Sequence, residues 1–219
     1  MSANPIELYS LATPNGQKVG VALEEMELPY NAHKINILEG DQFTDKFKSI
    51  NPNSKIPAIV DPDGPGGKAL TVFESGAILL YLAEKSGKFL SQDPVERMEC
   101  LQWLFFQMGG VGPMFGQFGH FFKYATDKCD HPYPKDRYLN ETRRLLGVIE
   151  KQLDASGGFL CQSGYSIADM ATFPWVMCLD MFYNARDALS LDEFTAVTRW
   201  VTTCSSRPKA AAGLEVCSI

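Results

Sequence analysis

Two short stretches hold residue types that suit ligand chemistry: Lys55-Ile56-Pro57-Ala58 and Phe73-Glu74-Ser75-Gly76. Ile56-Pro57 precedes the apolar run Ala58-Ile59-Val60, which Asp61-Pro62 bounds. Proline cannot donate to a sheet ladder, so Pro57 belongs at the mouth of a strand. A cis bond before it would turn the backbone of Ile56 outward, where its N–H and C=O can pair with an extended peptide. A trans bond would leave an ordinary turn into a strand. Leu70-Thr71-Val72-Phe73 reads as a second strand, and Glu74-Ser75-Gly76 opens the helical run from Ala77 to Lys85. A serine at a helix start presents N–H groups to an anion. One loop thus offers backbone pairing to a peptide and the next offers a carboxylate site. A ligand that is both short peptide and acid is glutathione.

The elements that must position these loops follow from patterning. Ile6-Glu7-Leu8-Tyr9 alternates and reads as a first strand. Thr13-Pro14-Asn15-Gly16-Gln17-Lys18 reads as a turn, and Val19, Leu23 and Met26 recur at helical spacing after it. Asn31 to Ile37 can form the next strand, and a right-handed crossover would make it parallel to the first. Phe43, Phe47 and Ile50 fit one face of a short helix that Asn51-Pro52-Asn53-Ser54 breaks. With the strands at Ala58 and Leu70 and the helix from Ser75, the order is β-α-β-α-β-β-α, that of a thioredoxin-like domain. It is expected over residues 1–88, with Lys88 to Pro94 as linker. Residues 95–219 change to long helical stretches, an all-helical domain. There Met98, Leu101, Leu104 and Phe105 are expected on one face, and Gly109-Gly110-Val111-Gly112-Pro113 is expected to loosen or kink the helix. Pro134 to Leu153 reads as a long amphipathic helix with Tyr138, Leu145, Val148 and Ile149 inward. Ser166-Ile167-Ala168-Asp169 has the form of a capping box opening a buried helix, and Phe194 to Cys204 forms the last clear helix. The fold class is therefore α/β followed by all-α.

Bulk properties exclude several functions. The chain has 219 residues, a formal net charge of -6 and 45% apolar residues, enough for two small domains and a sizeable core. Nothing resembles the clustered Lys and Arg of a nucleic-acid surface. No apolar run approaches the roughly 20 residues that span a bilayer. Met1-Ser2-Ala3-Asn4-Pro5 lacks a basic region followed by an apolar one, so no secretory signal is read there. The six cysteines are scattered without a C-x-x-C, as reduced, mostly buried thiols of a cytoplasmic protein would be. His33, His120 and His131 show no metal-ligand spacing, so no metal is expected.

Asn51 to Ala58, Phe73 to Leu82 and Ser166-Ile167-Ala168-Asp169, on a thioredoxin-like half joined to an all-α half, resemble the cytosolic glutathione transferases. Thr13-Pro14-Asn15-Gly16-x-Lys18, Gly40-x-Gln42-Phe43 and Leu101-Gln102-Trp103-Leu104-Phe105 with Gly109-Gly110 are similar to the bacterial nu-class and fungal Ure2-like branch, the disulfide-bond oxidoreductases. The resemblance spans nearly the whole chain. It implies glutathione as cosubstrate, either two reduced molecules per site or one oxidised molecule. It also implies a homodimer, and a small disulfide, hydroperoxide or electrophile as the second substrate.

A thiolate is the nucleophile in such chemistry, and a free thiol near pKa 8.5 is only a few per cent ionised at neutral pH. Tyr9 lies inside the first strand and reads as packing, and Ser10 stands early relative to the turn. Thr13 and Asn15 lie at the first helix, where hydroxyl, amide and helix dipole can stabilise a thiolate. Asn15 as a plain cap or turn residue is the alternative. The resemblance assigns both residues to the thiol. It assigns the ligand contacts to Gln42, Lys55, Ile56, Glu74 and Ser75, and a second glutathione to Arg137. No cysteine stands in that turn, so the reactive sulfur would belong to glutathione. The expected activity is glutathione-dependent disulfide reduction with weaker transferase and peroxidase activity. A conventional detoxifying transferase and a non-catalytic Ure2-like regulator are the competing readings.

Overall fold

The computed structural model describes residues 4–218; Met1 to Ala3, part of the leader reading and of the expected first domain, and Ile219 lie outside them. The chain forms two compact units, residues 4–90 with 207–218, and residues 91–206.

In the first unit a four-stranded sheet has the order β2-β1-β3-β4. Strand β1 (Ile6–Ser10) pairs in parallel with β2 (Tyr30–Lys34), as expected, the two being joined through helix α1 (Pro14–Met26). Strand β3 (Ala58–Asp61) runs antiparallel to β1, and β4 (Leu70–Phe73) antiparallel to β3. Helix α2 (Asp45–Ile50) packs near β3 and β4, and α3 (Ser75–Ser86) packs on α1. Helix α1 starts five residues before the periodic apolar run. Pro14 occupies its first turn, where no N–H is needed and the fixed φ suits the helix. Leu8, Val19, Leu23, Ile59, Ile78 and Leu82 are wholly buried, each contributing about 1.5–3 kcal/mol. Asp61 at the end of β3 is also inaccessible. It accepts from Lys85 Nζ at 2.5 Å, from the Tyr81 hydroxyl and from the Asp63 N–H at 2.9 Å, which ties α3 to the sheet.

The expected helical domain over 95–219 ends earlier. Helix α10 (Pro208–Leu214) packs against α1 instead. Two glycines allow the approach: a Cβ on Gly20 would lie 2.3 Å from the Gly213 carbonyl oxygen. Arg207 forms a double hydrogen bond to the buried Glu25 at 2.6 and 2.9 Å, and the Ala12 N–H donates to the Cys217 carbonyl at 3.1 Å. Helix α1 is thus covered on several sides, which is why Val21 and Ala22 are as buried as Val19 and Leu23.

The second unit contains α4 (Pro94–Phe106), α5 (Gly112–Gly119), α6 (Pro132–Ser156), α7 (Ile167–Met181), the short α8 (Arg186–Leu189) and α9 (Thr195–Ser205). Asp93 caps α4 by accepting from the Val95 and Glu96 N–H groups. The apolar face read on α4 is not uniformly buried: Cys100 and Leu104 are buried, whereas Met98 and Phe105 are 56% and 67% exposed. The buried stripe is the one that meets α7. The Gly109 region does not break the helix. Gln107–Val111 widens to a π-helical turn that keeps the backbone paired, and Pro113 falls in the first turn of α5. A second π-helical turn, His120–Tyr124, follows α5. On α6, Leu145 and Ile149 are fully buried, Tyr138 and Val148 partly so. The capping box opens α7 as read. Asp169 Oδ2 accepts from the Ser166 N–H and hydroxyl, and Oδ1 from the Leu160 N–H and Trp200 Nε1–H, both at 2.9 Å. Burial pushes the Asp169 carboxyl up to about 6 against these bonds. No disulfide occurs among the described residues, and Cys100, Cys161, Cys178 and Cys204 are buried. Among the described residues no helix is long and apolar enough to cross a membrane, and no cluster of metal-ligating side chains occurs.

Candidate active site

Within the first unit an open cavity of about 190 Å³ is lined by Asn15, Asn51, Asn53, Lys55, Ile56, Pro57, Glu74 and Ser75. Three loops converge on it: the start of α1, the segment entering β3, and the turn from β4 into α3. Of the two alternatives at Ile56–Pro57, the bond is cis.

The segment entering β3 is held by a side chain that sequence reading treated only as a helix breaker. Asn51 is buried, donates through Nδ2 to the Lys55 carbonyl at 2.7 Å, and accepts through Oδ1 from the Asn53 N–H at 2.9 Å. This turn, in which an asparagine side chain mimics backbone, fixes the loop that presents Lys55 and Ile56. Across the cavity, Glu74 adopts φ 70° and ψ 117°, a conformation that costs a non-glycine residue about 1–3 kcal/mol. Its carbonyl accepts from the Ile78 N–H at 2.9 Å as α3 begins. Ser75 then stands at the first turn of α3, where N–H groups and the helix dipole favour an anion.

Asn15, Lys55, Ile56, Glu74 and Ser75, placed far apart in sequence, are brought together here. Thr13 and Gln42 are not among the lining residues. Thr13 is the N-cap of α1, its carbonyl accepting from the Gln17 N–H at 2.8 Å, and its side chain makes no capping bond. Gln42 lies on a short 3₁₀ turn and donates through Nε2 to the Ile37 carbonyl at 3.2 Å. Arg137 belongs to the second unit, on α6, 52% exposed and 3.9 Å from Glu141. Tyr9 stacks on His33, their ring centroids 4.7 Å apart, and lines a different cavity, in keeping with its reading as a packing residue.

Sequence reasoning missed Lys18. Its side chain is buried, 1% exposed, and Nζ donates to Ser75 Oγ at 3.2 Å. Burial pushes its ammonium down to about 7, while the Glu74 carboxylate acts in the opposite sense. The one available signal was a lysine one turn after Asn15, followed at once by the apolar run Val19 to Leu23.

The arrangement offers backbone pairing at Ile56, an anion site at Ser75, a carboxylate at Glu74 and an amide at the start of α1. No cysteine is among the lining residues. Comparison with known proteins gives the family of the chain. Residues 12–85 fit the N-terminal domain of glutathione S-transferases, and residues 112–208 the C-terminal domain. The disulfide-bond oxidoreductase YfcG of Escherichia coli K12 is 48% identical over 206 residues, covering 93% of this chain and 91% of that protein. A glutathione transferase from Pseudomonas putida, crystallised with one glutathione disulfide per subunit, is 51% identical with a TM-score of 0.93, over 97% of this chain and 91% of that one. A relative from Pseudomonas fluorescens, crystallised with two glutathione bound, is 50% identical with a TM-score of 0.92, over 96% and 92% of the two chains. The chain belongs to the glutathione transferase family, alongside its disulfide-bond oxidoreductases.

Proposed function

We propose that this protein is a glutathione-dependent disulfide-bond reductase with weaker transferase and peroxidase activity. The observation that carries the reading is the convergence of Asn15, Ile56, Glu74 and Ser75 on one cavity that no cysteine lines. A thiol acting there comes from the ligand. Glutathione supplies it, its cysteinyl unit pairing with the Ile56 backbone, its γ-glutamyl carboxylate at Ser75 and its ammonium near Glu74, with Lys55 toward a carboxylate. Gln42 serves the glycine end and Arg137 the second glutathione.

Chemistry starts with ionisation. The amide of Asn15 and the hydroxyl of Thr13, with the N-terminus of α1 behind them, stabilise the thiolate of the first glutathione. That thiolate attacks one sulfur of a substrate disulfide. A mixed disulfide forms and one substrate thiolate leaves. The second glutathione thiolate attacks the glutathione sulfur of the mixed disulfide, giving glutathione disulfide and the second substrate thiolate. The two protons lost by the glutathiones end on the two product thiols, so the substrate is reduced by two electrons and glutathione oxidised by two. The relatives crystallised with glutathione disulfide or with two glutathiones support a path that needs two ligand sulfurs.

The second substrate is a small disulfide, hydroperoxide or electrophile. The protein works in the cytoplasm as a homodimer, a reading supported by the family resemblance and by exposed apolar side chains such as Leu38 and Phe43 in the first unit and Val95, Met98 and Phe105 in the second. Reduction of 2-hydroxyethyl disulfide measured beside conjugation of 1-chloro-2,4-dinitrobenzene tests the ranking. Reduction is expected to dominate, and strong conjugation without reduction would reject it. Asn15→Ala is expected to lower reductase kcat/KM on the order of 10- to 100-fold, the worth of one hydrogen bond to a charged group. An unchanged rate removes Asn15 from the mechanism.

A further inference from the structure

We propose that Lys18 is a positioning residue that makes this site select a carboxylate at Ser75; the proposal rests on the glutathione reading above. Lysine is almost never fully buried, because stripping an ammonium of water is costly. Lys18 is nonetheless 1% exposed, inside α1, in a layer of Val19, Val21, Ala22 and Leu23. A methionine would fill that volume without the cost of desolvating a charge.

The gain from keeping the ammonium lies in what it touches. Nζ donates to Ser75 Oγ at 3.2 Å, so the serine oxygen serves as an acceptor toward the interior. Ser75 thereby stands between the buried amine and the cavity that it lines. Near neutral pH burial leaves this amine only partly charged; its charged form stands behind the first turn of α3, adds to the field of that helix end and is favoured by a carboxylate bound there. A carboxylate at Ser75 therefore meets a helix N-terminus backed by a buried cation, whereas a neutral group gains little there. Glu74, which attracts Lys18 from the same turn, lines the cavity on the side assigned to the ammonium of the ligand. The two opposite charges at the loop thus match the two opposite charges of an α-amino acid end. Lys18 does not touch the reacting sulfur; it acts through Ser75.

The test is calorimetric titration of the full chain with glutathione and with γ-aminobutyryl-cysteinyl-glycine, which lacks the α-carboxylate. Lys18→Met is expected to weaken glutathione on the order of 10- to 100-fold, as loss of a charge-assisted contact would. Binding of the analogue, whose end carries only an ammonium, is expected to fall by no more than about twofold, since it has no carboxylate for the charge to hold. A role confined to packing would lower both affinities together. Lys18→Gln, which can keep a hydrogen bond to Ser75 without the charge, replaces the methionine variant should that fail to fold; a smaller, still carboxylate-specific loss is expected. Equal losses on the two ligands, or none on either, overturn the proposal. Wild-type protein that binds no glutathione overturns the proposed function and this inference with it, whereas wild-type binding with unchanged variants overturns the inference alone.

Discussion

Gly16→Ala isolates the close approach that places Asn15. Gly16 follows Asn15 in the first turn of α1, directly over the chain leaving β1. A Cβ there would lie 1.9 Å from the Leu11 carbonyl oxygen and 2.5 Å from Ser10 Oγ. The serine hydroxyl can rotate away. The Leu11 carbonyl is backbone and cannot, so the first turn of α1 must move by about 1.1 Å to reach the 3.0 Å below which such contacts are not found. Overpacking of this kind costs about 1–3 kcal/mol. Alanine regains about 1 kcal/mol of helix propensity over glycine, so the net loss of stability is about 0–2 kcal/mol. At about 2–4 °C per kcal/mol for a chain of this size, Tm falls by less than about 8 °C. Activity has no such offset. A misplacement near 1 Å in a positioned group costs about 100-fold in rate. Reduction of 2-hydroxyethyl disulfide is therefore expected to drop about 100-fold in kcat/KM while the protein stays folded by circular dichroism. Gly109→Ala is the stability control, because no atom lies within 4 Å of its Cβ position. A Gly16→Ala protein that keeps activity within about threefold of wild type refutes the claim that this contact sets the register of α1.

Two further outcomes concern stability. Asp169→Ala leaves the N–H groups of Leu160, Ser166 and Trp200 without their acceptor in a buried place, at about 1–3 kcal/mol each; urea unfolding should show a loss of at least about 3 kcal/mol, and a loss under about 1 kcal/mol contradicts the network. For Asp61, burial raises its pKa, yet bonds from Lys85, Tyr81 and the Asp63 N–H outweigh burial and hold it below the ordinary 3.8. The unfolded chain therefore binds the proton first as pH falls, so this stabilisation is present above about pH 4 and is lost below it. Lys85→Met should cost about 3 kcal/mol at pH 7, the lower end for removing one partner of a buried pair, and much less at pH 3; an equal cost at both values would show that the charge plays no part.

Much of the fold was legible along the chain because its signals are local. Alternation marked β1, proline marked the mouth of β3, and Ser166 with Asp169 marked the start of α7. Each signal acts within a few residues of itself. Helix limits were less legible: α1 begins at Pro14 because a first-turn proline looks like a turn residue when read alone. The π-helical turn at Gln107–Val111 was hidden for a related reason, since glycines that permit a break also permit a wider turn.

Local chemistry and the family resemblance together named Asn15, Lys55, Ile56, Glu74 and Ser75, and the folded chain supplied their common cavity. Lys18 and Asn51 stayed ordinary until folding, because nothing in a string of residues tells a solvated lysine from one sealed under a serine 57 positions away. The same holds for residues 207–218, whose place against α1 depends on Gly20, Gly213 and the Glu25–Arg207 pair. The Glu25–Arg207 pair joins residues 182 positions apart, and only such a tertiary meeting gives a buried charge its partner and a glycine its purpose.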